Sequence, residues 1–381
     1  VGIFSTGNSI TLNAGSTIET GNNEAVGIFT SGTGPMNIVS EAAMTIGDGS
    51  YGYVLKSTGT TLDSRTVGVI LGNKTVYIYS SDSSANITNR TAVTSTGREN
   101  YGIYSAGSVN NLADLNLSSG VGNVGIFSIN GGTAVNGNNA GIRPVISVSG
   151  TDRTDLDNQL YGIGMAAGYL DKDTGNLITT GNIVNYGTIN VGNEGGIGMY
   201  AVGSGSSAKN YGEINLSANG TVGMYLDKNA VGENYGTIRT VAGSTANGMI
   251  GVVLMNHAIL KNYGQIIVEG AGNKGVYNDG GDYQSTGGTV TATRGASDVV
   301  VPADVSDTSK IIAGRRIEAP VGRPVRVYVN DREVNPIEIN TARAMSNTLV
   351  TVGGTTLDLR TAGIADIPSS GKAVSYTHLR A

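Results

Sequence analysis

Apolar and polar residues alternate along much of this chain in short runs of about four to six residues. Thr188-Ile189-Asn190-Val191 is one such run. Alternation with period two marks a strand with one face buried and one face wet. Gly and Asn residues separate the runs and read as turns. Helical periodicity is nearly absent, and Gly at this frequency costs a helix interior up to about 1 kcal/mol per residue. The pattern therefore predicts many short strands and no helical core.

The strands recur in register with two motifs. Asn-Tyr-Gly-x-Ile begins at Asn185, Asn210, Asn234 and Asn262, in steps of 25, 24 and 28 residues. Gly, an aliphatic residue and an aromatic residue follow one another at Gly198-Met199-Tyr200, Gly223-Met224-Tyr225 and Gly275-Val276-Tyr277, with a looser copy at Gly251-Val252-Val253. The second motif extends upstream to Gly2-Ile3-Phe4, Gly27-Ile28-Phe29, Gly52-Tyr53-Val54, Gly102-Ile103-Tyr104 and Gly125-Ile126-Phe127. A repeat of about 25 residues cannot bury its own apolar face, but stacked repeats can. The spacing predicts an all-β fold, a right-handed parallel β-helix (β-solenoid) with rungs of about 25 residues over residues 1–283. A loop of about 130–158 is expected to be inserted in it. In register, Asn185, Asn210, Asn234 and Asn262 are expected to form an amide ladder, each side chain giving and accepting a hydrogen bond. Tyr186, Tyr211, Tyr235 and Tyr263 are expected to stack beside it.

Composition sharpens this picture by exclusion. The 381 residues include 59 Gly, no Cys, no Trp and two His, His257 and His378. Without Cys there is neither a disulfide scaffold nor a thiolate metal site. Net charge is −5, which argues against a nucleic-acid surface, since such a surface needs clustered Lys and Arg. No apolar window is long enough for a membrane-spanning helix. Charge is uneven: residues 1–282 hold 13 basic and 20 acidic residues, and residues 283–381 hold 11 and 9. The chain opens at Val1 in mid-pattern and is expected to lack its native start.

The repeats resemble an autotransporter (type V secretion) passenger domain, with the nearest likeness to the large fusobacterial-type adhesins. Those passengers carry runs of Asn-x-Gly-x-Ile followed by Gly-Ile-Tyr. The likeness covers about residues 1–283. It implies a bacterial cell-surface (outer membrane-anchored) or secreted protein. It also implies a membrane link only through a C-terminal β-barrel, which is missing from this sequence. Lack of Cys suits passage through a narrow pore.

Residues 284–373 depart from the repeat and read as a β-rich cap or linker. Val325-Arg326-Val327-Tyr328-Val329 alternates as a strand, and Leu349-Val350-Thr351-Val352 with Thr355-Thr356-Leu357 around Gly353-Gly354 reads as a hairpin. Residues 374–381, Val-Ser-Tyr-Thr-His-Leu-Arg-Ala, fit neither part and look like translated sequencing-adapter read-through.

No residue stands out as catalytic, cofactor-binding or metal-binding. His257 lies between strand runs with no adjacent nucleophile and orienting carboxylate, which a triad needs. Asp171-Lys172-Asp173-Thr174-Gly175-Asn176 has an acidic calcium-loop start, but position twelve is Asn182, where an EF-hand has a bidentate Glu. Asp152, Asp155 and Asp157 cluster in the inserted loop. Glu213, Glu233 and Glu269 are scattered, and the residues equivalent to Glu213 are Thr188, Thr237 and Gln265. Gly203-Ser204-Gly205 opens no helix, so it is no phosphate loop. The expectation is therefore a surface adhesin or structural stalk, without catalysis and without a cofactor. Its partner is expected to be a protein or glycan of a host or neighbouring cell, met through inserted loops. The alternatives are a glycan-active β-helix enzyme of the polysaccharide lyase or hydrolase type and a pure spacer.

Overall fold

A computed structural model describes residues 1–154, 160–171 and 175–301, together with the strands Ser309–Ile312, Arg315–Glu318, Arg326–Val329, Arg332–Val334, Leu349–Val352 and Thr355–Asp358. It is an all-β parallel solenoid of about 12 turns, spaced about 25 residues apart. Three strands make a typical rung. The first sheet holds twelve strands, from Ile3–Ser5 to Ser297–Val300. The second holds eleven, from Ser9–Leu12 to Asp282–Ser285. The third holds nine, from Val69–Leu71 to Thr289–Thr293, and a separate pair, Thr17–Glu19 with Ala43–Thr45, continues its side of the rod toward the start of the chain.

Register follows the motifs. Met165, Met199 and Met224 pair in succession in the first sheet, and Ile189, Ile214 and Ile238 in the third. Their side chains meet in one continuous core with Ile38, Leu62, Ile87, Ile183 and Leu260 of the second sheet. Each Ile or Leu so enclosed contributes about 2 kcal/mol, gained only when rungs stack. The glycine of the Gly-aliphatic-aromatic motif faces this core where rungs nearly touch. A Cβ at Gly223 would lie 2.5 Å from the Gly251 carbonyl oxygen and 2.6 Å from Ile238 Cγ2.

Parallel pairing runs past residue 283, through Thr289–Thr293 and Ser297–Val300. At that rung Ser285 and Thr286 stand where Asn and Tyr stood before, so the motif stops before the ladder does. The loop expected at 130–158 contains two regular strands. Thr133–Asn136 and Val145–Ser147 lie inside that span, yet both keep their places in the second and third sheets. The extra residues fall between those strands, between Ser147 and Ile163, and in an antiparallel pair, Tyr169–Leu170 with Leu177–Thr179. Leu349–Val352 and Thr355–Asp358 pair as an antiparallel hairpin. Residues 374–381 lie outside the described residues.

Candidate functional site

The most regular feature is the corner between the second and third sheets. There the last residue of each second-sheet strand turns inward, and the next residue points out. Inward, Asn89, Asn111, Asn136, Asn185, Asn210, Asn234 and Asn262 form one file of fully buried amides. From Asn89 to Asn234, each Nδ2 donates to the Oδ1 of the following Asn at 2.8–3.0 Å, and Asn262 ends the file by donating to the Thr289 carbonyl. The second Nδ2 hydrogen serves the turn: Asn89 donates to the Thr91 carbonyl at 2.9 Å and Asn185 to that of Gly187 at 3.1 Å. Four of the seven carry the Tyr-Gly signature. Asn89, Asn111 and Asn136 lack it, and only their place at the end of an alternating strand marks them.

Outward, Tyr186, Tyr211, Tyr235 and Tyr263 stack ring on ring. Centroids are 4.9, 4.6 and 4.6 Å apart and planes lie within 11° of parallel. The Gly after each Tyr lets the corner turn this tightly, because a Cβ at Gly212 would sit 2.0 Å from the Gly187 carbonyl oxygen. The stack remains 39–41 % exposed at Tyr211, Tyr235 and Tyr263. Arg143 lies over its first ring, 5.8 Å from the Tyr186 centroid. Beside it, Lys209 pairs with Glu233 at 3.0 Å, and the Tyr235 hydroxyl donates to Glu233 at 3.1 Å. Hydrogen bonding to Glu233 holds the Lys209 ammonium above its ordinary value. The neighbouring rings strip water from the Tyr235 phenol, and the Glu233 carboxylate opposes its ionisation. Together they push it up to about 12.

Upstream, the same outward file carries charge. Glu41, Arg65 and Arg90 follow the second-sheet strands of successive rungs. Asp63 bridges the two arginines, at 2.7 Å to Arg65 Nη2 and 3.2 Å to Arg90 Nε. The Asp63 hydrogen bond raises the Arg65 guanidinium further. One open edge of the rod thus passes from a charged segment to an aromatic one.

The remaining singled-out residues do not converge. His257 sits exposed in a turn at φ 63°, its backbone N–H donating to the Gly280 carbonyl. The Gly175 N–H donates to the Asp171 carbonyl at 2.8 Å, and residues 172–174 lie outside the described residues. So do Asp155 and Asp157. Asp152 accepts from Thr154 Oγ1 and the Thr154 N–H, which hold its carboxyl below the usual range, and it meets Arg98 at 3.6 Å. Glu213 pairs with Arg239 at 3.3 Å and Glu269 with Arg294 at 3.7 Å. Gly203 and Gly205 take φ values of 91° and 93° in a turn. Among the described residues no group of three His, Cys, Asp or Glu is placed to hold a metal ion.

A family model described as the BigA third pectate lyase-like domain matches residues 1–237, more than half of the 381. The chain belongs to that family. No curated protein and no solved structure matches. Membership in the BigA third pectate lyase-like domain family fits a passenger-like domain. It also corrects one expectation, that the chain is not an enzyme, because the pectate lyase-like name points to a glycan-active enzyme fold. Sequence reasoning held a glycan-active β-helix only as the alternative, for a physical reason. On a solenoid, groups that act together come from different rungs about 25 residues apart, so no local motif announces them. Asp63, Arg65 and Arg90 of this pectate lyase-like domain are brought together in that way.

Proposed function

We propose that this chain is a rod-like segment of a BigA-like surface protein, displayed on a bacterial surface or secreted. We further propose that it engages a glycan or protein of a host or neighbouring cell along the open edge beside the second sheet. The observation that carries this reading is the straight, exposed file running from Asp63, Arg65 and Arg90 to the four stacked tyrosines. Rungs that contact only their neighbours make a stiff spacer of about 50 Å. A stiff spacer holds such an edge at a fixed distance from its anchor. Aromatic edges and guanidinium groups are the side chains that most often anchor recognition. BigA is an autotransporter-like surface protein, which supports the display. The adhesin role of fusobacterial-type passengers is the finer form of the same reading.

The test is binding of the purified chain to glycan arrays and to cell-surface extracts. Tyr211→Ala with Tyr235→Ala is expected to weaken a captured ligand by about tenfold, some 1.4 kcal/mol. Equal binding by the parent and the double variant refutes the edge as the binding face.

A second reading, glycan cleavage, is favoured by the pectate lyase-like family and by the Asp63 cluster. Its test is release of oligosaccharides from a panel of neutral and acidic polysaccharides. Release that stops with Asp63→Asn supports it, and no release from any polymer rejects it.

A further inference from the structure

The tyrosine edge is flanked by two files of outward side chains, and their chemistry narrows what can lie on it. On the second-sheet side Lys209, Glu233 and Lys261 follow one another in register. On the third-sheet side the file is Thr188, Glu213, Thr237 and Gln265.

Charge is largely neutralised within this strip. Lys209 pairs with Glu233 at 3.0 Å and Arg239 with Glu213 at 3.3 Å. Arg143, over the first ring, and Lys261, beside the last, have no ion pair among the described residues. The excess cations therefore sit at the two ends, and the middle rungs present no net charge. Hydrogen-bonding capacity is left open instead. The hydroxyls of Tyr186, Tyr211, Tyr263, Thr188 and Thr237 and the Gln265 side-chain amide have no protein partner among the described residues. Each of these groups both donates and accepts.

The geometry excludes some ligands. Tyrosine ring faces lie against each other, so a ligand meets ring edges and hydroxyls. Backbone groups between these rungs are already paired, as from the Tyr211 N–H to the Asn185 carbonyl and from the Glu213 N–H to the Gly187 carbonyl. An extended peptide therefore cannot add a strand here. What fits is a ligand rich in hydroxyls, uncharged along its length and repeating at about the 4.6–4.9 Å step of the rings. An extended chain of linked pyranoses has all three properties.

We infer that the tyrosine edge takes a linear, neutral polysaccharide lying along the rod, with one sugar to each tyrosine. This rests on the reading of that edge as a binding face and narrows its ligand. Each sugar sets its ring against a tyrosine edge and its hydroxyls against the free groups of the Thr188 file. Both files run along the rod, so a chain laid across it would meet one tyrosine only.

The test uses the full chain and three oligosaccharide series of about two to eight sugars, with binding measured by calorimetry. Two are neutral, of β-1,4-linked glucose and β-1,4-linked N-acetylglucosamine, and one is acidic, of α-1,4-linked galacturonate. Affinity for a neutral series should rise about threefold per sugar until the four tyrosines are covered, then level off. It should change by less than about twofold between low and high salt. Galacturonate oligomers of equal length should bind at least about tenfold more weakly, because residues 1–282 of the rod hold 20 acidic groups against 13 basic. Tyr211→Ala with Tyr235→Ala should abolish the dependence on length. Tyr211→Phe with Tyr235→Phe keeps the stack, removes two hydroxyls and should lose about fivefold, which guards against an alanine pair that disturbs the corner. Affinity that ignores length, a preference for the acidic series, or no binding to any of the three overturns the inference. A protein ligand lost with the alanine pair also overturns it but leaves the edge as a binding face. Neutral-glycan binding indifferent to both double variants overturns the edge as well.

Discussion

The first and second sheets are both parallel and stacked rung on rung, yet their strands read differently. Second-sheet strands such as Asn86–Asn89 alternate, with Ile87 and Asn89 buried and Asn86 exposed. First-sheet strands such as Val76–Ser80 are buried at every position. A parallel strand covered on both faces becomes continuously apolar, whereas one with a wet face keeps its alternation. Strand composition therefore reports which walls of the rod are sealed. The Val-Tyr-Ile-Tyr and Tyr-Gly-Ile-Tyr runs imply a cover, and the Asn, Asp and Lys residues of the second sheet mark its free side.

The sharpest way to break this contrast is one substitution made on both walls. Tyr79→Lys buries a charge in the first sheet and should cost about 4 kcal/mol, while Thr88→Lys on the open wall should stay within about 0.5 kcal/mol. Urea titration of both variants checks it, and equal midpoints remove the distinction. Next in size is the amide file. Asn210→Ala leaves the Asn185 donor and the Asn234 acceptor without each other's bridge and should cost about 3 kcal/mol. Asn210→Asp should be worse than Asn210→Ser, because it sets a carboxylate against the Asn234 carbonyl oxygen. Melting temperatures in the opposite order refute the ladder's polarity.

Alkaline pH tests the buried phenols directly. Burial raises the phenols of Tyr104 and Tyr51 on the outer face of the first sheet, and of Tyr77 in the core, above their ordinary value of 10.0. Tyr161 is pushed up to about 12, also by burial. These groups keep their protons longer in the folded rod than in the unfolded chain. Their contribution is complete below pH 10 and is lost as pH climbs past it, so the thermal midpoint should fall between pH 10 and 12. A midpoint flat across that range rejects the burial of these phenols. The smallest effect expected is Tyr211→Ala on the open stack, about 1 kcal/mol, measured by the same melts.

The repeat was legible because a parallel rod writes its period into the chain. Asn185, Asn210, Asn234 and Asn262 lie at successive rungs with identical neighbours on either side. Legibility failed where identity changed but position did not. Asn89, Asn111 and Asn136 belong to the same file but are followed by Arg90, Leu112 and Gly137, so no motif tied them to the rest. Thr133–Asn136 and Val145–Ser147 are regular strands set among Gly, Asn and Pro, and the loop residues masked them. Residues 289–300 kept the ladder after losing both signature residues. The Asp63, Arg65 and Arg90 group was invisible for the opposite reason. Nothing repeats there, and only the folded register makes neighbours of residues 63 and 90.

One interruption in the stacking has a mechanical meaning. The hydrogen bonds between rungs run along the rod, so a pull on its two ends loads the rungs in series, and the joint that yields first sets the strength of the whole. Between most rungs three ladders share that load. Between the second and third rungs the third sheet is broken, since Ala43–Thr45 does not pair with Val69–Leu71, and fully exposed Val67 loops out beside the gap. Under tension the rod should part there, at a built-in fuse, while the long amide file downstream still holds.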